Sequence, residues 1–211
     1  MAALGRFETP ADSATVWAMR VSEEFQPPPS FVTVLDEIET SRAAAFRFER
    51  DRRHYIAAHA LRRALLTWRF GGSPAGWSFS HRPLERPRVL AAVPGVAPGV
   101  SLTHARGLVA AAVVADGAAI GVDAEAIAHA SVDQSLASAV CGVEELRRLA
   151  ALESDAAAWR RAFFRLWVAK EAYAKAVGLG LSLHFPDIAF TDQARFGGWR
   201  LFELDAGPDH A

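Results

Sequence analysis

Two short stretches of the chain carry side chains whose types and spacing suit chemistry. The first is "IGVDAEAI" (120–127), in which Asp123 and Glu125 are separated by one residue. In a β-strand, side chains alternate, so both carboxylates would point to the same face. Two interpretations stay open at this point: a solvated face near a strand end, or a site for a divalent cation such as Mg²⁺, which prefers hard oxygen ligands.

The second stretch is "RLWVAKEAYAKAVGLGLS" (165–182). At helical spacing, Trp167, Glu171 and Lys175 lie one turn apart on a single stripe, flanked by Lys170. An exposed Glu–Lys pair would explain the charges and contribute about 0.3–0.5 kcal/mol. Alternatively, a glutamate kept ionised by two lysines can act as a metal ligand or a base, while the lysines supply positive charge for a phosphate.

Weaker candidates lie upstream. His104 in "SLTHARG" stands near the end of a predicted strand, where a structural histidine is the simpler explanation. Arg86 and Arg88 lie in the proline-rich "ERPR" loop, where solvated cations are equally ordinary. Residues 42–69 are rich in arginine and contain only Glu49 and Asp51 as acids, so any anion-binding surface is expected to begin there.

The elements that must position these residues follow from periodicity and punctuation. Helical texture extends from Asp36 to Phe70 with a break near 48–51, again over 131–150, and over 156–177, where Ser154 or Asp155 can cap the start and Gly178 the end. Strands are predicted at 15–21, 77–81, 100–105, 108–116, 119–127, 187–191 and 199–205, with the three central ones forming an antiparallel meander.

Composition excludes several classes of protein. The chain has 211 residues, a net charge of −1 and a mass of 22.8 kDa, without the polybasic character of a nucleic-acid binder. Its single cysteine, Cys141, excludes an internal disulfide framework and fits a reducing cytosol. No apolar run is long enough to span a bilayer, and the N-terminus does not resemble a signal peptide. These features predict a cytoplasmic protein without membrane or nucleic-acid partners.

A faint internal repeat bears on the domain organisation. "ALRRALLTWRFGGS" (60–73) and "WVAKEAYAKAVGLGLS" (167–182) both end a basic helix at glycine, and Gly71 and Gly178 lie 107 residues apart. Two related α+β halves would explain this echo, although two alanine-rich helices can also resemble each other by chance.

Together the motifs resemble those of the 4′-phosphopantetheinyl transferases. Members carry a (V/I)G(V/I)D-x-E strand followed by a W-x-x-K-E-A-x-x-K-x-x-G-x-G helix end. These stand here as "IGVDAE" and "WVAKEAYAKAVGLG", with 46 residues between Asp123 and Lys170. "SLTHA", "ERPRV" and the arginine-rich helix resemble segments of the larger, Sfp-type branch. That branch implies a monomer of two similar α+β lobes (a pseudo-dimer), each a small antiparallel sheet packed against a long helix. The expected lobes are 1–118, on the coenzyme A 3′-phosphate side, and 119–211, with the Mg²⁺ site and the catalytic helix.

The resemblance implies Mg²⁺-dependent transfer of 4′-phosphopantetheine from coenzyme A to a serine of an apo acyl or peptidyl carrier protein, with release of adenosine 3′,5′-bisphosphate. Asp123, Glu125 and Glu171 would hold Mg²⁺, and Glu171 would also draw the serine proton. Lys175 would act on the leaving phosphate and Lys170 on the pyrophosphate. The implied coenzyme A contacts are His104 and Arg86, with Arg42 and Arg53 at the 3′-phosphate.

Three features qualify the resemblance. Thr103 and Ala105 replace the serines that usually flank the histidine, which puts nucleotide contacts from this strand in doubt. Ala124 replaces a β-branched residue, a change of packing only. Relatives usually continue beyond "FELDAGPDHA" into a further strand. The alternatives are a non-catalytic relative that binds coenzyme A or carrier proteins, which should lack a metal ligand or Lys175, and a Mg²⁺-dependent phosphohydrolase, which would not require the W-x-x-K-E-A helix.

Overall fold

The computed structural model describes residues 4–8, 14–80, 87–91, 93–115, 117–128, 132–190, 195–196, 198–207 and 209–211. The helices are α1 (Pro29–Val32), α2 (Glu37–Ala44), α3 (Glu49–Phe70), α4 (Gln134–Val140), α5 (Val143–Ala150) and α6 (Ala156–Val177). The strands are β1 (Leu4–Glu8), β2 (Ala14–Arg20), β3 (Ser78–Phe79), β4 (Val89–Ala91), β5 (Gly99–Ala105), β6 (Leu108–Val114), β7 (Arg195–Phe196) and β8 (Trp199–Arg200). Helices combined with small antiparallel sheets confirm the predicted α+β class.

The main sheet has the order β1-β2-β6-β5, with every pair antiparallel. Strand β6, "LVAAAVV", is buried along its whole length because both of its faces are covered. Val109, Ala111 and Val113 pack on the same core as α3, whereas Ala110 and Ala112 pack on the opposite side against Val122. A continuous apolar strand is the expected solution for a position covered on both faces.

The two long helices begin and end as local sequence signals predict. Helix α6 is capped at its start by Asp155, whose carboxylate accepts hydrogen bonds from Ala157 N and Ala158 N, and at its end by Gly178, which has φ 77° and ψ 21°. Helix α3 ends at Gly71 with φ 82°, a conformation that favours glycine. The helical region predicted from Asp36 to Phe70 is divided into α2 and α3, in agreement with the expected break.

The predicted strand over 119–127 is wrong. Residues 118–125 have no regular structure, and Ala126 makes only an isolated antiparallel bridge to His210. The predicted meander would place this segment beside β6, but β2 and β5 already occupy both edges of β6. Residues 118–128, called here the Asp123 segment, instead lie against α6, where a Cβ on Gly121 would come within 1.8 Å of Ala172 O.

The alternation that motivated the strand prediction nevertheless holds. Val122, Ala124 and Ala126 are buried, whereas Asp123 and Glu125 are half-buried on the other side of the segment. The backbone at Glu125 is fixed from outside the main sheet: Glu125 N donates to Ala211 O, and Ala211 N donates back to Glu125 O. The two carboxylates therefore share a face, as predicted, although no ladder of strand pairing holds them there.

Other strand predictions need correction. Within the predicted strand 187–191, Phe185–Asp187 form a 3₁₀ turn and 188–190 are irregular, while 191 lies outside the described residues. Of the predicted strand 199–205, only β8 at Trp199–Arg200 forms, paired with β7. Strands β1, β4 and β7 were not predicted, because short strands depend on partners that a local pattern does not reveal.

None of the helices that the structure describes is both long enough and apolar enough to cross a membrane.

Candidate active site

Three elements meet around a cavity of about 450 Å³. Strand β5 approaches from the main sheet, the Asp123 segment forms one wall and α6 forms another. The residues that line it are Leu102, Thr103, His104, Asp123, Ala124, Glu125, Trp167, Glu171 and Lys175. Five residues predicted from separate parts of the sequence are thereby brought together: His104, Asp123, Glu125, Glu171 and Lys175.

Helix α6 presents its predicted stripe to this cavity. Trp167, Glu171 and Lys175 follow one another at one-turn intervals, and all three line the cavity. The indole of Trp167 packs against Phe163 and Phe185, with ring centroids 6.1 Å and 6.3 Å apart. This packing explains a tryptophan on a charged stripe, because its rings belong to the core while its edge reaches the carboxylates.

Asp123 is held firmly through one oxygen. Its Oδ1 accepts a hydrogen bond of 2.6 Å from Lys175 Nζ and one of 3.0 Å from Thr103 Oγ1. Its Oδ2 is buried and has no hydrogen-bond partner among the described residues. Lys175 Nζ also donates to Val122 O at 3.2 Å and lies 3.5 Å from Leu102 O, so its ammonium group joins α6 to β5 and to the Asp123 segment.

Glu125 and Glu171 are carboxylates in an unfavourable environment. Partial burial raises the pKa of Glu125, and the neighbouring Asp123 raises it further, while a hydrogen bond with Trp167 and the charge of Lys175 oppose the shift. Burial also raises the pKa of Glu171, again reinforced by Asp123 and opposed by Lys175. Three carboxylates thus crowd one cavity that contains a single lysine.

A family model described as "4′-phosphopantetheinyl transferase superfamily" matches residues 119–209, which include the Asp123 segment and all of α6. The chain is also 27% identical over 200 residues to the 4′-phosphopantetheinyl transferase HetI from Nostoc sp. (strain PCC 7120), an alignment that covers 92% of this chain and 83% of that protein. Over the matched region the chain is therefore similar to the 4′-phosphopantetheinyl transferase superfamily.

Both motifs by which the sequence resembles the phosphopantetheinyl transferases lie within the matched region. The D-x-E motif supplies Asp123 and Glu125, and the W-x-x-K-E-A helix supplies Trp167, Glu171 and Lys175. His104 lies outside the matched region, yet strand β5 brings it to the same cavity.

The donor set around the cavity fits a hard divalent cation in chemical type. Mg²⁺ is commonly bound by one or two carboxylates together with phosphate and water oxygens. Here the buried Asp123 Oδ2 has no partner among the described residues, and the mutual repulsion of the carboxylates is what a cation would relieve. Across the described part of the chain, however, no three His, Cys, Asp or Glu side chains are already close enough to form a metal centre.

Lys170 does not reach the cavity, contrary to the prediction that it contacts the pyrophosphate. Its side chain is fully buried, and Nζ donates to Glu145 Oε2 at 2.5 Å, Val140 O at 2.8 Å and Phe185 O at 3.0 Å. All three protons of the ammonium group are used to join α6 to α4, to α5 and to the segment after α6. A phosphate contact would require breaking this buried network.

The predicted arginines have different outcomes. Arg53 pairs with Glu49 and donates to Glu23 O, and Arg42 is exposed on α2; neither lines the cavity. Arg86 lies outside the described residues.

Cys141 is buried with its pKa raised to about 11 by burial, which is unsuitable for a nucleophile.

Sequence reasoning missed the role of two residues. Thr103 counted only as a departure from the serine pattern, and Trp167 only as an unexpected neighbour on the stripe. A signal for Thr103 was present, because Ser101 and Thr103 place two hydroxyl groups on the same face of β5. Both are buried, and both bond to the Asp123 segment.

Proposed function

We propose that this protein transfers the 4′-phosphopantetheine group of coenzyme A to a serine hydroxyl of an apo acyl or peptidyl carrier protein, with Mg²⁺ as cofactor and adenosine 3′,5′-bisphosphate as the second product. One observation carries the proposal. The D-x-E motif and the W-x-x-K-E-A helix, which are far apart in sequence, place Asp123, Glu125, Glu171 and Lys175 around one cavity. HetI, a relative over most of the chain, is named for this transferase activity.

The reaction requires one bond to form and one to break. The serine oxygen bonds to the phosphorus that carries pantetheine, and the bond from that phosphorus to the bridging oxygen breaks. The bridging oxygen then leaves with the nucleotide. Glu171 is placed to take the serine proton, since burial and Asp123 raise its pKa toward the range useful for a base. Lys175, whose side chain is 31% exposed, supplies positive charge or a proton to the leaving oxygen.

Asp123, Glu125 and Glu171 would hold the Mg²⁺ ion, which would neutralise charge on the pyrophosphate when bound. His104 lies exposed at the edge of the same cavity, where it can contact a phosphate of coenzyme A. For the 3′-phosphate, Arg42, Arg53 and Arg86 remain predictions. Lys170 has no place in this mechanism, because its ammonium group is fully bonded in the interior.

We further propose that the chain is a two-lobed molecule of the Sfp-type branch, with residues 1–118 and 119–211 as the lobes. Helices α3 and α6 support this proposal because each has 22 residues, and they begin and end 107 positions apart. The sheets are less alike: four strands accompany α3, whereas the described residues near the C-terminus form only the β7–β8 hairpin. One chain supplies both β5 and α6 to the same cavity, which supports the proposal of an active monomer. We propose that it acts in the cytoplasm.

The direct test is to incubate the protein with coenzyme A, Mg²⁺ and several apo carrier proteins and to measure the intact carrier by mass spectrometry. We expect each accepted carrier to gain the mass of one phosphopantetheine group, and omission of Mg²⁺ to prevent the gain. A folded protein that modifies none of the carriers, but binds coenzyme A in calorimetry, would instead identify the non-catalytic relative.

A further inference from the structure

The carboxylate of Asp123 is restrained in an asymmetric way. Two donors from different elements, Thr103 Oγ1 on β5 and Lys175 Nζ on α6, both bond to Oδ1. The other oxygen, Oδ2, is buried without a hydrogen-bond partner among the described residues. A buried carboxylate oxygen left without a donor is unfavourable, unless a ligand completes it.

Thr103 is itself rigidly placed. The residue is only 4% exposed, and its backbone pairs with Ala110 in the ladder between β5 and the central strand β6. The threonine χ1 angle is restricted by branching at Cβ, which limits how far the hydroxyl can move. The donor to Asp123 is therefore fixed by the main sheet rather than by the irregular segment that carries the carboxylate.

A second hydroxyl on the same face of β5 reinforces this arrangement. Ser101 Oγ accepts a hydrogen bond of 3.1 Å from Val122 N, the residue immediately before Asp123. Strand β5 thus holds the backbone of the Asp123 segment through Ser101 and the carboxylate through Thr103. The segment lacks strand pairing of its own at this point, so these side-chain bonds take over the positioning role.

We propose that Thr103 is a positioning residue for the metal site. Together with Lys175, it prevents rotation of the Asp123 carboxylate and keeps Oδ2 available to a divalent cation. This inference rests on the proposed function, because it assigns a task to a residue beside the proposed Mg²⁺ ligands. It also gives Thr103 a role distinct from contact with the nucleotide.

The test measures metal binding directly, with Mn²⁺ as a paramagnetic probe of the whole protein in the absence of coenzyme A. Thr103→Val keeps the shape of the side chain and removes the hydroxyl. We expect Mn²⁺ affinity to fall about 10- to 100-fold, the usual range for loss of a partner to a metal ligand. Thr103→Ser keeps the hydroxyl and should retain affinity within roughly threefold of the wild type.

Thr15→Val is the matched control, because Thr15 is also a buried threonine in the main sheet, 5% exposed, and does not line the cavity. It should bind Mn²⁺ like the wild type. In the transfer assay, Thr103→Val should need a higher Mg²⁺ concentration for half-maximal rate, with a smaller change in the rate at saturating Mg²⁺. A general loss of structure would not produce this division between the two quantities.

The outcomes separate this inference from the proposed function. If the wild type binds Mn²⁺, Glu171→Gln weakens binding and Thr103→Val does not, the positioning role is wrong while the proposed metal site stands. If the wild type shows no Mn²⁺ binding that depends on Glu171, the positioning role and the proposed metal site both fail. Should Thr103→Val unfold, Thr103→Ala must show the same loss of affinity in a folded protein, and unchanged affinity there would overturn the inference.

Discussion

Helices α3 and α6 each extend for 22 residues and end at a glycine with positive φ, Gly71 and Gly178. Each follows an eight-residue helix, α2 or α5, that begins with a capping arrangement in which a glutamate side chain accepts from the backbone N–H of the N-cap residue. The two regions therefore share the lengths of their helices, the glycine that ends the long helix and the order of the two helices along the chain.

They also share a buried cation in the fifteenth position of the long helix. In α3 this is Arg63, which donates to Glu39 and to Trp77 O; in α6 it is Lys170, which donates to Glu145 and to Phe185 O. In each region this glutamate is also the residue whose side chain accepts from the backbone N–H of the N-cap residue of the shorter helix. One interaction thus joins three pieces of backbone in both regions.

The difference lies on the stripe that faces the cavity. Helix α6 carries Trp167, Glu171 and Lys175 there, whereas the positions 107 residues earlier in α3 are Ala60, Ala64 and Trp68. The framework is common to both regions, but the groups proposed to act in catalysis belong to one of them. A fully buried lysine and a partly buried lysine that lines the cavity consequently have different tasks on the same helix, despite their similar appearance in the sequence.

The largest effect expected from breaking this asymmetry is that of Glu171→Gln. Loss of the proposed base and metal ligand should lower the transfer rate by roughly 10²- to 10⁴-fold. The measurement is carrier modification by mass spectrometry, with circular dichroism to verify folding. Glu144→Gln is the control, since Glu144 forms an exposed pair with Arg147 and should behave like the wild type. Near-normal turnover of Glu171→Gln would remove its assigned role.

The next prediction concerns the shared feature. Lys170→Met leaves the buried Glu145 without its cation, so it should lower the free energy of unfolding by about 3–5 kcal/mol in urea titrations. Arg63→Met should have a smaller effect, because Arg62 still pairs with Glu39. The folded fraction of Lys170→Met at low temperature should retain transfer activity within about tenfold, because Lys170 does not touch the cavity. A stable but inactive Lys170→Met protein would instead restore its predicted role at the pyrophosphate.

A pH-dependent difference should also separate the two regions. His59 donates to Glu39 in the α3 network, and Leu166 is the matching residue in α6. Burial lowers the pKa of His59 to about 4, although the hydrogen bond with Glu39 opposes this. The unfolded chain, with a histidine pKa near 6.5, then binds more protons between pH 6.5 and 4, so folding stability falls as the pH is lowered through this window.

Between pH 7 and pH 5 this histidine should remove roughly 2 kcal/mol of stability. His59→Gln can still donate to Glu39 but does not titrate, so its stability should vary less over the same range. Glu39 adds little to the pH dependence of folding stability above pH 4.5. Burial raises its pKa, but His59, Arg62 and Arg63 outweigh this effect and hold the pKa well below the usual value. Equal pH dependence in wild type and His59→Gln would contradict the prediction.

The smallest effect is expected at Trp167. Trp167→Phe keeps the packing against Phe163 and Phe185 but removes the N–H that bonds to Glu125. We expect the Mg²⁺ requirement for half-maximal transfer to rise about tenfold. Trp159→Phe makes the same change on the same helix, beside Phe163 but outside the cavity, and should leave the requirement unchanged. If both variants behaved alike, the hydrogen bond to Glu125 would have no role.

Local patterns predicted the features that depend on neighbours in the chain. The Asp155 cap, the Gly178 end and the stripe of Trp167, Glu171 and Lys175 follow from the geometry of a helix, whose bonds connect residues four apart. The shared face of Asp123 and Glu125 was predicted for a similar reason, although the strand itself was wrong. Alternation belongs to any extended backbone, whereas a strand requires an edge with which to pair.

The sequence alone thus determined the family resemblance, the main helices and the residue types of the candidate site. Only the tertiary structure decided which lysine is buried and which faces the cavity. Periodicity places Lys170 beside the stripe but does not reveal that Glu145, Val140 and Phe185 surround its ammonium group. The same holds for Thr103, whose hydroxyl acquires a purpose only when β5 lies beside Asp123. Burial and hydrogen-bond partners are set by contacts distant in the chain, and those contacts gave each side chain its role.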